Sequence, residues 1–210
     1  SNLKKNTLED YVVQSETLLV NQDYTNAGKL ASTVLEEPKL NPEQKIRLNR
    51  ICAQIIHDTE IPLKVHSDQR LEAFHKYFRD SIPEDRPLTI DEHLMLANVF
   101  EWQSKYKNAV DHIGSAIDLG AEDVVTLLKR KLELLPRTGY DIEQQYDQTL
   151  DEFGNRDDLS EDDLVWALDL KTERLFRNGE FTQAVDLISK TLPRIKEEKN
   201  HLSLAYSLAL

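Results

Sequence analysis

The chain has 210 residues and a formal net charge of −12, with 38 acidic against 26 basic side chains. An acidic surface repels phosphate backbones, so this charge disfavours nucleic acid as a partner. Only 6 Gly and 7 Pro are present and 40% of the residues are hydrophobic, which predicts an all-helical chain with a continuous core rather than a sheet protein.

Four helices are predicted in the first part of the chain. Thr7 caps the first of them. Asn41 and Pro42 start the third, because Asn is a good N-cap and the amide proton that Pro lacks has no partner at the first helical position. Ser67 caps the fourth, and the proline-containing loop 81–88 is interpreted as an insertion between stacked hairpins. The predicted bounds are 7–21, 24–37, 42–57 and 67–78.

The stretch 89–120 reads as two helices joined by a turn at 104–105. Thr89 can accept a hydrogen bond from the amide of Glu92, and the Glu92 side chain can reach back to the amide of Thr89. This capping box predicts that the first helix starts at Thr89. Gly120 ends the second helix, since glycine takes positive φ without steric cost.

The remaining helices follow from apolar runs and from helix-breaking residues. The stretch 121–135 is strongly apolar, which predicts a helix covered on more than one side. A helix over 141–153 follows it, and Ser160 begins the next one. Pro193 stops the helix after that, and a last apolar helix is predicted over 200–210.

One pattern of small and large residues recurs in three places. An aromatic residue opens the second helix of a hairpin, an alanine follows three residues later, and a small residue precedes the aromatic by nine. Small residues let two helices approach closely, and large residues fill the space around that contact. The three sets are Ser15, Tyr24 and Ala27, then Ala97, Tyr106 and Ala109, and finally Thr172, Phe181 and Ala184.

Together with Leu18, Phe100, Leu175 and Gly179, these residues resemble the tetratricopeptide repeat, a helix-turn-helix unit of about 34 residues. The match is clear for these three hairpins, and each gap between them holds one longer, divergent repeat. The resemblance implies an all-α, right-handed α-solenoid of antiparallel helix pairs, with about 11 helices.

The resemblance also implies one superhelical domain over 1–210. Its repeats would be 7–38, 42–80, 89–120, 121–154 and 160–197, with a final helix over 200–210. Repeat arrays need a polar outer face at their ends, and this final helix has none. We therefore expect the chain to be part of a longer protein.

No group of residues in the sequence points to catalysis or to a cofactor. The six histidines never fall at the short paired spacing that builds a zinc site. A glycine-rich phosphate loop and a G-x-S-x-G motif are both absent. The single cysteine, Cys52, lies in an apolar run typical of a buried inert thiol, and His93 takes a core position typical of a structural histidine. We expect a protein that is not an enzyme, without catalytic residues, metal ligands or cofactors.

The candidate partner-binding residues come from the resemblance. In tetratricopeptide arrays the first helix of each hairpin lines a concave surface, which here would present Val12, Glu16 and Leu19, then Leu94, Asn98, Glu101 and Trp102, then Asp169, Glu173, Phe176 and Arg177. Trp102 is not needed by the apolar stripe of its hairpin, so it is a candidate anchor for a partner. The alternative is that Trp102 packs against the neighbouring divergent repeat.

The leading hypothesis is a non-catalytic scaffold or adaptor that binds a peptide or protein on this concave surface. The acidic charge serves solubility or, alternatively, a groove for a basic partner. A different hypothesis is a regulatory, ligand-sensing solenoid within a larger enzyme or transcription regulator. Self-association stays open.

The sequence contains no signal peptide and no apolar stretch of membrane-spanning length. We therefore expect a cytoplasmic protein without membrane insertion, although an export signal removed upstream of the first residue would leave no trace.

Overall fold

The computed structural model describes residues 7–60, 63, 67–139, 142–196 and 200. All regular secondary structure in these residues is helical, which confirms the all-α prediction. The α-helices found there are α1 (Leu8–Val20), α2 (Tyr24–Leu35), α3 (Pro42–Glu60), α4 (Asp68–Asp80), α5 (Ile90–Trp102), α6 (Tyr106–Asp118), α7 (Val124–Leu134), α8 (Glu143–Gly154), α9 (Glu161–Arg177) and α10 (Phe181–Thr191). Apart from Asn200, the predicted last helix over 200–210 lies outside the described residues.

Side-chain caps begin several helices where the sequence predicts them. The Thr7 hydroxyl accepts from the amide of Asp10 at 3.2 Å, and the Asp10 carboxylate accepts from the amide of Thr7 at 2.7 Å. Thr89 and Glu92 form the same reciprocal pair before α5, at 3.3 and 2.9 Å. Each pair satisfies amides that the first turn of a helix leaves without a partner. The other predicted caps that accept a backbone amide are Asn41, Ser67 and Ser160.

The turns of the three matching hairpins share one backbone conformation. Two residues before the aromatic, the backbone takes positive φ, at 58° for Gln22, 55° for Ser104 and 76° for Gly179. The next amide donates to the carbonyl five residues earlier, as Lys105 does to Phe100 at 2.8 Å. The same bond joins Asp23 to Leu18 at 2.9 Å and Glu180 to Leu175 at 2.8 Å. The recurrence in sequence is therefore a recurrence in backbone geometry.

The small residues of the three hairpins are all buried. Their exposed fractions do not exceed 1%, for Ser15, Ala27, Ala97, Ala109, Thr172 and Ala184. The aromatic position is less uniform, because Tyr24 and Tyr106 are half-buried whereas Phe181 is 59% exposed. The expectation that a large residue fills the space around the small ones is therefore wrong at Phe181, whose ring centroid lies 5.7 Å from that of Phe176.

The chain divides into two compact units, Ser1–His112 and Ile113–Leu210, with the boundary inside α6. In the first unit α1 packs against α2 and α3, and α3 packs against α4. The loop 81–88 packs onto this unit, since its Leu88 lies against the apolar cluster that α3, α4 and α5 share. In the second unit α8 packs against α7 and α9, and α9 packs against α10. Stacking of all hairpins into one solenoid stays a prediction.

Two individual predictions are decided by burial. Cys52 is 6% exposed, and burial raises the pKa of its thiol to about 11, so the thiol is protonated and unreactive as predicted. The prediction that Val12 lies on the binding surface is wrong, because Val12 is fully buried in the cluster formed by α1, α2 and α3. The contact of α1 with α3 covers the face on which Val12 lies.

The apolar helix α7 is buried on several sides, as its sequence predicts. Five of its leucines, counting the first residue of the following turn, are less than 10% exposed: Leu127, Leu128, Leu132, Leu134 and Leu135. Pro136 then continues the chain as a single 3₁₀ turn over Leu135–Arg137. No helix of the described residues is long and apolar enough to cross a membrane.

Candidate partner-binding surface

Two of the predicted contact residues meet at one histidine of α3. The side-chain amide of Asn98 in α5 donates to Nε2 of His57 at 3.0 Å. The ring of Trp102, one turn further along α5, lies with its centroid 6.0 Å from the His57 ring. Asn98, Trp102 and His57 are all half-buried, so the group is partly open to solvent.

Hydrogen bonds fix the tautomer and the position of this histidine. Its Nδ1 lies 2.8 Å from the carboxylate of Asp58, which can only accept. Nδ1 therefore carries the proton and Nε2 is bare, ready to accept from Asn98. Gln54 donates to the same carboxylate at 2.7 Å and holds it in place. The side chain of His57 is thus oriented by residues from both α3 and α5.

Trp102 packs where the alternative interpretation of the sequence places it. Its ring joins the apolar cluster of α3, α4 and α5, which includes Ile56, Phe74 and Phe78. It nevertheless remains only half-buried at the end of α5. The ring therefore has one side against the core and another side partly exposed to solvent.

An open cleft of about 450 Å³ lies between α3 and α5 in the same unit. We call it the α3–α5 cleft. Its floor is apolar, with Ala53, Phe78 and Met95. Gln54 lines it too, and the bond of Gln54 to Asp58 connects the cleft to the group around His57. The polar part of the wall includes Arg50, Arg86, Asp91 and Glu92.

The charged wall of the cleft is internally paired. Arg86 donates to Glu92 at 2.5 Å, and Arg50 approaches the same oxygen to 3.7 Å. Burial raises the pKa of Glu92, but the Arg86 guanidinium and the Thr89 amide outweigh it, so the pKa lies below its usual value. Glu92 is therefore ionised at neutral pH. Two arginines face two carboxylates here, Asp91 being the second, so the wall has little net charge.

Glu16 lies in a separate ionic group between α1 and α3. Arg47 donates to both of its carboxylate oxygens, at 2.7 and 2.6 Å, and to Glu9 at 2.5 Å. Glu16 and then Glu9 raise the pKa of Arg47 further above its usual value. Leu19, predicted beside Glu16, is half-buried against the first apolar cluster. Both residues hold helices together within the first unit.

The other predicted contact residues do not join the group around His57. Leu94 and Glu101 are half-buried on α5, and Asp169 is half-buried on α9. Glu173 and Arg177 form an exposed ion pair with each other along α9. The α9 residues belong to the second unit.

Residues of α3 are the part of the site that the sequence did not single out. Arg50, Gln54 and His57 recur at helical spacing beside the apolar stripe of this helix. That spacing is the signal which could have found them. The repeat pattern does not single these residues out, because α3 begins a divergent repeat. The outward face of that repeat has no equivalent in the three matching hairpins.

The polar side chains around His57 form a connected set of hydrogen bonds. Each polar side chain around His57 is used in orienting its neighbour, and the apolar floor lies beside them. Within the described ranges, no three His, Cys, Asp or Glu side chains come together as a metal site would require. No protein-family model, curated protein or solved structure matches this chain.

Proposed function

We propose that the chain is a non-catalytic adaptor whose first unit binds a peptide or protein segment along α3 and α5. The observation that carries this proposal is the meeting of Asn98 and Trp102 with His57 beside the open α3–α5 cleft. A half-buried tryptophan next to oriented hydrogen-bonding groups is the usual composition of a binding hot spot.

The chemistry of the cleft favours recognition by shape and hydrogen bonds. Two arginines and two carboxylates line its wall, so a basic partner gains little from the cleft itself. The apolar floor offers space for an aliphatic or aromatic side chain of the partner. Binding should therefore depend weakly on salt, since no net charge has to be screened.

The shared geometry of three hairpins supports the tetratricopeptide interpretation of the whole chain. Repeats of one backbone conformation with fully buried small residues are what such arrays stack. In that interpretation α1, α3 and α5 of the first unit are the first helices of their hairpins and line one concave surface. The α3–α5 cleft would then be one segment of a longer binding groove.

The test uses a partner captured by the immobilised chain from its source and then purified for titration. Trp102→Ala should weaken the affinity at least about tenfold, because truncating a hot-spot aromatic costs more than about 1.4 kcal/mol. Isothermal titration calorimetry of the wild type and the variant measures this difference. Circular dichroism melts show whether each variant is folded.

Phe181→Ala is the matched control, since Phe181 is an exposed aromatic residue of α10 outside the candidate surface. The control should bind the partner like the wild type. Equal affinity of the wild type and Trp102→Ala for every captured partner would contradict the proposal. Asn98→Ala provides a second variant of the same surface if Trp102→Ala melts at a lower temperature.

A second candidate function is the sensing of a small molecule in the α3–α5 cleft. The volume of about 450 Å³ favours it, because it falls within the range of small-molecule pockets. Native mass spectrometry of the chain isolated from its source distinguishes the two. A stoichiometric added mass would favour the ligand-sensing function, and a bare chain that captures a protein favours the adaptor.

A further inference from the structure

A pair of histidines lies at the contact of α5 with α6. The Nδ1 atoms of His93 and His112 are 2.8 Å apart, and their ring centroids are 5.1 Å apart. At this distance one Nδ1 must carry a proton and donate it to the bare Nδ1 of the other ring. His93 is thus hydrogen-bonded, with a second histidine as its partner.

The number of protons on the pair decides whether this bond can exist. A first added proton is taken by Nε2 of the donating ring, which leaves the bond in place and makes it charge-assisted. A second proton can be taken only by the accepting Nδ1. Two N–H groups would then face each other with two positive charges, so the rings must separate.

The surroundings of the pair give the second charge little compensation. The Phe100 ring stacks on His112 with its centroid at 5.4 Å, and the centroid of the His75 ring lies 6.0 Å from that of Phe100. The carboxylates whose charges act on the pair are Glu92, which is held by Arg86, and Asp111. The cation near Phe100 is Lys105, which adds positive charge at this contact.

We propose that the His93–His112 pair is a pH-sensitive latch, which holds α5 against α6 and releases it when both rings are protonated. Because α5 carries Asn98 and Trp102, release of the latch would also displace these two residues of the candidate binding surface. The latch itself stands on the histidine geometry alone, and only its effect on binding rests on the proposed function.

The direction of the pH dependence follows from the folded-state pKa values. Burial lowers the pKa of His93, while burial and then the charge of His93 lower the pKa of His112. The unfolded chain therefore takes up these protons at a higher pH than the folded chain. The stability that the neutral pair contributes to the fold is therefore fully present above about pH 6.5, the ordinary histidine pKa. It is lost progressively as the pH falls below that value.

His75 contributes with the same sign and must be separated from the latch. Burial, followed by the charge of Lys105, lowers the pKa of His75. His75 bonds Gln103 rather than another histidine, at 3.3 Å. His75→Asn is therefore the matched control, which removes one half-buried histidine and leaves the pair intact.

The test compares thermal melts at pH 7.5 and pH 5.0 for the wild type, the double variant His93→Asn/His112→Asn and His75→Asn. Asparagine keeps a donor and an acceptor near the Nδ1 position but does not titrate. The fall in Tm on acidification should be smaller in the double variant than in the wild type and in His75→Asn, by at least about 2 °C. An equal fall in the double variant and the wild type would overturn the proposal.

If the double variant does not fold, nuclear magnetic resonance of the wild type tests whether protonation of the pair releases α5 from α6. The imidazole signals of His93 and His112 should titrate below pH 6.5, together with changes in the amide signals of α5 and α6. Titration of both rings without any change in those amides would overturn the latch.

Capture of the partner at the two pH values tests the link to binding. Loss of capture at pH 5.0 in the wild type, with retention in the double variant, supports the link, and equal loss in both contradicts it. Absence of capture at both pH values would contradict the proposed function, whereas the melts would still decide the latch.

Discussion

At the scale of single residues, the buried alanines set how closely helices pack. Ala27, Ala109 and Ala184 occupy the same position after the aromatic, and each has an exposed fraction of 0%. A larger side chain has no space there without moving a neighbouring helix. The absence of side-chain volume at these positions is therefore as specific a feature of the fold as the large residues around them.

Ala109→Arg should unfold the hairpin to which it belongs. A guanidinium at this position would be buried without a partner, which costs at least about 3 kcal/mol. Urea titration followed by circular dichroism measures the loss of stability. Asn108→Arg is the matched control, because Asn108 is exposed on the same helix and its change should cost less than about 0.5 kcal/mol.

An unfolding curve of Ala109→Arg that coincides with that of the parent would contradict the packing described here. It would also remove the basis for treating the three hairpins as copies of one unit.

At the scale of elements, the three matching turns have the same backbone but different residues. Glycine occupies the position of positive φ in only one of them, at Gly179. The other two turns place Gln22 and Ser104 in a conformation that L-residues rarely adopt. The hairpins thus tolerate strain at the first two turns, where the five-residue hydrogen bond still forms.

Gly179→Ala should destabilise the second unit by about 1–2 kcal/mol. The left-handed backbone conformation has a steric cost for alanine, because of its Cβ, that glycine does not have. A Cβ at Gly179 would meet no atom within 4 Å, so the effect comes from the backbone alone. Ser104→Gly should have the opposite sign, raising the stability by up to about 1 kcal/mol. Chemical denaturation of both variants measures the two signs, and a stabilising Gly179→Ala would contradict the turn assignment.

The local features of these elements could be predicted from sequence. Thr89 and Glu92 are three residues apart, so their capping box depends only on the helix that they begin. The burial of Ala97 and Ala109 likewise follows from the periodicity within one hairpin. Helical spacing gives the face of each helix without knowledge of its distant neighbours.

The contacts between hairpins could not be predicted in this way. Asn98 and His57 are 41 residues apart, and nothing in the spacing of either helix shows that they meet. The spacing of α1 likewise predicts an exposed Val12. Its burial depends on the contact of α1 with α3, which that spacing does not show. Whether a helix face is exposed depends on which neighbouring helix packs against it. The periodicity of the sequence does not give the position of that neighbour.

At the scale of the whole molecule, the predicted contact residues are divided between two compact units. Glu16, Asn98 and Trp102 belong to the first unit, and Glu173 and Arg177 belong to the second. In the first unit Asn98 and Trp102 meet at His57 beside an open cleft, whereas in the second unit Glu173 and Arg177 pair with each other on the exposed face of α9. The proposed binding function is therefore located in the first unit.

The net charge of −12 describes the whole chain and not this surface. Arg50 and Arg86 face Glu92 within the cleft, and Arg47 holds Glu16 beside α1. Where the first unit is expected to bind, its charges are largely paired. The acidic balance of the chain thus supports solubility more directly than it supports the choice of a basic partner.

Hydrogen exchange measured by mass spectrometry, with and without a captured partner, tests the location of binding most directly. The account predicts that the partner slows exchange in α3 and α5, centred on the peptides that contain His57 and Trp102, and leaves α9 and α10 unchanged. Protection confined to the second unit, with none in α3 or α5, would contradict it.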